Sequence, residues 1–324
     1  MLNATSRKAR ALHTAIVYSI ALTSGASAVA AAPIDSLGDR VLNGLASPAP
    51  AAYHPRTQRL LVATAGEVRA AALTGEARLI DERPVHVNAG NTILRLRVDA
   101  RRNRLWVLDT DAVHVFDLAS NRRLRTVALP NWFYAGHGTN CLPDLQLDRN
   151  GAAFVSDNMQ PKLWRIDPVR FSVDERSVRL EPPTPVDAGF SALVIGKDGT
   201  MLAAMAAPGF LWRVDTRLFR AEKIQTSERL HGACAIEAAG SGKTRDLTLF
   251  VLASGRGNFT VRRVDMASSS TKGRVSDAGS GSIAAPVGLL AANGALQLVL
   301  SGAAARAPRT DTAQFVLRPV QRLD

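Results

Sequence analysis

Four segments of this chain close on an aspartate after nearly the same run of alternating side chains: Val113-His114-Val115-Phe116-Asp117, Leu163-Trp164-Arg165-Ile166-Asp167, Leu211-Trp212-Arg213-Val214-Asp215 and Val261-Arg262-Arg263-Val264-Asp265. Spacings of 50, 48 and 50 residues make them an internal repeat, which implies a stacked array of one supersecondary unit. A chain of 324 residues has length enough for two ordinary domains, yet a closed all-β array of this size forms one.

The second unit shows the pattern in full. Residues Ile93 to Val98 alternate, Asp99-Ala100-Arg101-Arg102-Asn103 turns, Arg104 to Leu108 runs apolar, Val113 to Phe116 alternates, and Arg123 to Leu129 supplies a last strand. Period-2 patterning broken by polar turns is an antiparallel meander, and four strands in under 50 residues make one propeller blade. The order recurs after Leu142, Phe190 and Ala233, with weaker copies opening at Ala51 and Val287. The expected fold is all-β: a six-bladed β-propeller of four-stranded antiparallel blades, spanning 31–324. Its sixth blade lacks an outermost strand unless the segment Ile34 to Leu45 returns to supply it and remove the free edge.

On such a ring the four repeated aspartates are a blade apart, too far to share a metal. Each is expected to end a third strand and cap the following turn. Trp106, Trp164 and Trp212 are expected to pack between blades.

The N-terminus carries Arg7, Lys8 and Arg10, then an uncharged stretch from Ala11 to Ala32 with Ala26-Ser27-Ala28 and Ala28-Val29-Ala30. That layout is a cleaved secretory signal over 1–30, so the mature chain is expected in the periplasm or outside the cell, monomeric and without stable membrane insertion. The formal charge of +12 includes the three basic residues of that segment. Export makes nucleic acid an unsuitable target, and pairs such as Arg101-Arg102 and Arg122-Arg123 are read as solvated faces, with adhesion to an anionic envelope component the alternative. Cys141 and Cys234 sit in an oxidising compartment but on non-neighbouring blades, so they are expected as two buried small apolar residues.

Gly240-Ser241-Gly242-Lys243-Thr244 imitates part of a phosphate-binding loop but lacks its first glycine and a following helix; it is read as a polar hairpin. No Gly-x-Ser-x-Gly, HExxH or CxxC occurs. The run Pro143-Asp144-Leu145-Gln146-Leu147-Asp148-Arg149-Asn150-Gly151, with Lys162 to Asp167, resembles the regucalcin/gluconolactonase superfamily. Residues 98–129 are similar to the yellow/major royal jelly proteins, departing at Asp111, where that family commonly has glycine. Both resemblances imply a six-bladed propeller.

The lactonase resemblance implies Ca²⁺ or another divalent metal at the channel mouth, held by carboxylates and asparagines of several blades and polarising a lactone carbonyl. Aligning the innermost strands places Pro50, Arg95, Asp144, Ala192, Ala233 and Val287 there. Asp144 alone carries over as a metal ligand, whereas Ca²⁺ takes six to eight oxygens and Arg95 repels it. A looser set, His137, Asn140, Asp144, Asp187, His231 and Arg95, flanks the mouth beside Trp132-Phe133-Tyr134. It is suited to a small-molecule ligand or a transition metal. The sequence thus points to an exported ligand- or partner-binding propeller with no assignable catalytic residue. A metal-dependent lactonase or esterase and an envelope interaction scaffold are the alternatives.

Overall fold

Four of the repeats turn their first hairpin by placing one residue in the left-handed region just before the second strand. Gln58 (φ 54°), Asn103 (φ 54°), Gly151 (φ 84°) and Gly199 (φ 85°) hold this place in four successive repeats, a conformation that glycine and asparagine adopt at least cost. An aspartate fastens two of these turns from their start. Asp99 Oδ1 accepts the Arg101 and Arg102 amides, both at 3.1 Å, and Asp148 Oδ1 accepts those of Asn150 and Ala152 at 2.8 and 2.9 Å.

A computed structural model describes residues 40–42, 50–64, 66–72, 78–79, 84–87, 91–132, 141–184, 188–196, 198–239, 246–254, 258–267, 269–281, 286–292, 295–301 and 315–322. The segment read as a secretory signal lies outside them, as does the Gly240 to Arg245 hairpin. Strand β1 is Arg40–Leu42. The first meander holds β2 (Ala51–His54), β3 (Arg59–Ala63), β4 (Glu67–Ala72), β5 (Arg78–Leu79) and β6 (Val85–His86). The second holds β7 (Ile93–Asp99), β8 (Arg104–Asp109), β9 (Ala112–Asp117) and β10 (Arg123–Ala128). The third holds β11 (Leu145–Leu147), β12 (Ala153–Ser156), β13 (Lys162–Ile166) and β14 (Val173–Ser177), followed by β15 (Arg179–Glu181). The fourth holds β16 (Ala192–Ile195), β17 (Met201–Met205), β18 (Phe210–Asp215) and β19 (Arg220–Thr226). The fifth holds β20 (Ala233–Ala239), β21 (Asp246–Ser254), β22 (Phe259–Ala267) and β23 (Lys272–Gly281), and the last β24 (Pro286–Ala292), β25 (Ala295–Ser301) and β26 (Phe315–Arg322).

Within each meander the successive strands pair antiparallel, except that β6 in the first pairs with β4, and the protein is an all-β propeller. Strand β1 pairs with β26, setting Arg40, Val41 and Leu42 opposite Leu317, Val316 and Phe315, so the N-terminal segment supplies the missing fourth strand of the last sheet. The innermost strands touch in the order β2, β7, β11, β16, β20 and β24, and β24 touches β2 again. Two parallel pairings are invisible to the repeat. Strand β15 leaves the third meander to lie against β19, with Arg179 opposite Arg220, and β19 then pairs with β23, with Gln225 opposite Lys272. Both cover an outer edge that would otherwise present unpaired backbone.

The core lies between meanders, because alternate side chains leave both faces of each sheet. Trp106 and Trp164 share one cluster with Leu94, Leu145 and Val155 of the second and third meanders. Trp212 shares another with Phe154, Phe190 and Met201 of the third and fourth. All three indoles are fully buried; each removes roughly 150–250 Å² from water, an upper contribution of about 4–6 kcal/mol.

Three of the four repeated aspartates cap their turns as expected. Asp117 accepts the amides of Ala119 and Ser120 at 3.1 and 2.7 Å, Asp167 those of Val169 and Arg170 at 2.8 and 2.7 Å, and Asp215 those of Arg217 and Leu218 at 2.8 and 3.0 Å. The Ser120 hydroxyl and amide hold the Asp117 carboxyl below its ordinary range, and the Arg170 and Val169 amides do the same for Asp167. The same turns end on Asn121, Phe171 and Phe219, all with positive φ. Phe171 thereby reaches back to Trp106, 6.1 Å between ring centroids. Asp265 departs from the set. Its strand runs on to Ala267, so the carboxylate stands within the sheet, accepting the Thr248 hydroxyl at 2.7 Å and pairing with Arg263 at 2.9 Å.

Candidate functional site

The innermost strands run side by side without forming a hydrogen-bonded sheet with one another, so their channel-side backbone groups need other partners. In the second to fifth meanders side chains provide them. Arg95 and Arg97 alternate along β7, and both reach Asp144, just before β11: Arg95 Nε and Arg97 Nη2 each lie 3.3 Å from Asp144 Oδ1. That oxygen also accepts the Leu145 amide at 2.8 Å, while Oδ2 accepts the Leu193 amide of β16 at 2.9 Å. Arg97 Nε donates to Gln146 Oε1 at 3.1 Å, and Gln146 Nε2 donates on to the Leu193 carbonyl at 2.8 Å. The Ser191 hydroxyl then donates to the Ala233 carbonyl of β20 at 2.6 Å. One polar belt thus stitches four innermost strands together.

Asp144 is buried (3% exposed), and Arg95 nearly so (8%). Beside them a cavity of about 30 Å³ is lined by Pro50, Arg95, Arg97, Asp144, Ala235 and Gly288 among others, room for about one water. Bulges at Ala233/Ala235 and Pro286/Gly288 shift the lining from the expected Ala233 and Val287 to Ala235 and Gly288, because each bulge adds a residue and moves the register.

Glu237 on β20 is a second channel carboxyl that the alignment of strand starts missed, as it did Arg97, since both sit deeper than the first inward residue. An acid inside the otherwise apolar run Ala233-Cys234-Ala235-Ile236 was the available signal. Burial pushes the Glu237 carboxyl up to about 7, against the pull of Arg97 and with the help of the Asp144 charge.

Cys141 and Cys234 form a disulfide, with Cα atoms 4.8 Å apart, which corrects the expectation of two unpaired residues. Cys141 precedes its innermost strand instead of lying in it, so it reaches across to the start of β20. The Asn158 amide anchors it there, donating to the Cys141 carbonyl at 2.9 Å. Of the remaining mouth residues, His231 is exposed and its Nδ1–H donates to the Ala207 carbonyl at 2.9 Å. His137, Asn140, Asp187, Phe133 and Tyr134 lie outside the described residues. The structure therefore brings Arg95 and Asp144 together and sets His231 apart in its own turn. Among the described residues no group of three His, Cys, Asp or Glu side chains stands close enough to hold a metal.

A buried His–Asp pair lies elsewhere, in the second meander. His114 Nε2 is 2.8 Å from Asp109 Oδ2, and His114 Nδ1 is 3.1 Å from the Thr126 hydroxyl on the outermost strand. The order resembles a nucleophile relay, but Thr126 lines neither the channel cavity nor the larger grooves. Burial alone would raise the Asp109 carboxyl; hydrogen bonds from His114, Asn91 and the amides of Asp111 and Ala112 hold it far below its ordinary range instead. The His–Asp pair is a buried clasp between β8 and β9 that reaches the exposed Thr126 on β10.

No family model matches the chain, and no curated protein does. Solved structures do. One, described as a "putative gluconolactonase", is 11% identical, with a TM-score of 0.53 over 89% of this chain and 95% of its own. Another, described as "Structure of U3-55K", is 10% identical, with a TM-score of 0.54 over 86% of this chain and 98% of its own. Likeness at this identity establishes the fold and nothing finer: the chain is a β-propeller.

Proposed function

We propose that this protein is an exported, six-bladed, non-catalytic propeller that serves as a binding module. The count of six takes the nine-stranded sheet as two blades joined through β19 and β23, and it is supported by the closed succession of innermost strands. Export is supported by the basic and apolar N-terminal segment.

The observation that carries the non-catalytic reading is the saturation of Asp144. Its two oxygens already accept from two guanidiniums and two amides. A hard dication there would have to displace them and then sit against two positive charges with few oxygen donors. These residues do not fit Ca²⁺, and Asp144 acts instead as a strut between blades. The gluconolactonase-type reading rests on the shared fold, and folds of this kind host many unrelated functions.

Calorimetric titration of the mature protein with Ca²⁺, Zn²⁺ and Mn²⁺, alongside a panel of lactones and esters, tests this. No saturable metal binding and no hydrolysis are expected. Saturable Ca²⁺ binding that disappears in Asp144→Ala, or metal-dependent lactone hydrolysis, would overturn the reading.

A further inference from the structure

The buried carboxylate of the second meander fixes which nitrogen of its histidine carries a proton. Asp109 and His114 are 0% and 1% exposed, and Asp109, whose carboxyl is held far below its ordinary range, is ionised. An ionised carboxylate only accepts, so His114 Nε2 is the donor of the 2.8 Å contact with Asp109 Oδ2. In the neutral ring Nδ1 is then the acceptor, and the Thr126 hydroxyl, 3.1 Å away, donates to it.

Thr126 itself is exposed. The pairing of β10 with β9 sets it directly opposite His114, so neighbouring strands, not a loop, hold carboxylate, imidazole and hydroxyl in line. Water alone satisfies an exposed hydroxyl; this one instead points its proton at a dry base whose other nitrogen is anchored to a charge. That is the order of groups that activates an oxygen nucleophile.

We propose that Thr126 is a base-activated hydroxyl that accepts an acyl group from an activated ester. Thr126 Oγ1 bonds to the ester carbonyl carbon while its proton passes to His114 Nδ1, and Asp109 balances the charge of the imidazolium. The tetrahedral adduct then breaks its bond to the leaving alcohol's oxygen, which takes the proton back from His114. The products are an ester of Thr126 and a free alcohol, with no change in oxidation state. Thr126 lines neither the channel cavity nor the larger grooves, so nothing there binds an ester for repeated turnover and the step ends on the acyl-threonine. The inference goes beyond the binding-module reading and does not rest on it.

Incubation with p-nitrophenyl acetate followed by peptide mapping tests it, with hydroxylamine separating a labile threonine ester from stable lysine amides. Expected is an acetyl ester on Thr126 formed at least about tenfold faster than on Ser172 and Ser177. Those two serines are exposed, and their primary hydroxyls are less hindered than that of a threonine. Thr126→Ser should keep the label, Thr126→Val should lose it, and His114→Gln should slow it at least about tenfold; melting curves establish that each variant is folded. No ester at Thr126, labelling no faster than at the two serines, or undiminished labelling of folded His114→Gln would each overturn the proposal. Should His114→Gln not fold, the comparison with Ser172 and Ser177 in the wild-type protein decides alone.

Discussion

Arg95 Nε stands 3.3 Å from Asp144 Oδ1, across the junction of two innermost strands, with Arg97 Nη2 at the same distance from the same oxygen. One carboxylate therefore neutralises part of a buried cation, Arg95, and of the partly exposed Arg97, and ties β7 to β11 and, through the Leu193 amide, to β16. Removing it leaves the Arg95 guanidinium buried without its counter-charge. Asp144→Ala should destabilise the fold by about 3–5 kcal/mol, and Asp144→Asn by less, since the amide oxygen still accepts. Urea unfolding of the two variants measures this; equal stability to wild type would remove the strut.

The short pairing of β1 with β26 places the closure of the last sheet on three residues. Deleting 31–46 should lower the melting temperature by about 2–3 °C, as expected for the loss of roughly 1–2 kcal/mol from a domain of this size. An unchanged melting curve would mean that the last sheet does not depend on its fourth strand.

Glu237 gives the stability a pH slope of defined sign. Its folded-state pKa, about 7, lies above the ordinary glutamate value, so the folded state binds more protons between the two. Stability should fall as pH rises from about 4.5 to 7 and level off above, by up to about 3 kcal/mol. Glu237→Gln should abolish this slope and be more stable than wild type at pH 8. Asp109 has the opposite sign: its depressed carboxyl contributes stability above its unfolded pKa that is lost as pH falls below about 4. Denaturant titrations across pH separate the two, and an unaltered slope in Glu237→Gln would refute the assignment.

The disulfide spans 93 residues and joins the start of β20 to Cys141, which precedes β11. Reduction, or replacing both cysteines by alanine, should cost about 2–4 kcal/mol. Comparing unfolding midpoints with and without reductant reads the loss directly, and mass spectrometry after alkylation should find no free thiol in the oxidised protein.

Asp265 shows where the repeat misleads. Its five-residue signature matches the other three, but its own strand β22 and the neighbouring β21 are nine residues long and carry the sheet past it. A carboxylate expected to cap a turn therefore pairs with Thr248 and Arg263 instead. The channel lining was legible in part: Pro50, Arg95 and Asp144 were placed by strand alignment, whereas Ala235, Gly288 and Glu237 depended on bulges and on depth along the strand, which alternation alone does not encode. His137, Asn140 and Asp187 lie outside the described residues and stay expectations.

Taken alone, the amino-acid sequence determined the all-β class, the four-strand meander and the turn positions, because period-2 alternation, aspartate caps and left-handed turn residues act over a few neighbours. Tertiary structure alone decided that Asp144 faces two arginines, that Cys141 meets Cys234, and that β19 is zipped to β15 and β23. Those contacts join residues about 40 to 90 positions apart, and their geometry depends on how far each blade rotates and bulges against the next, a quantity no local pattern carries.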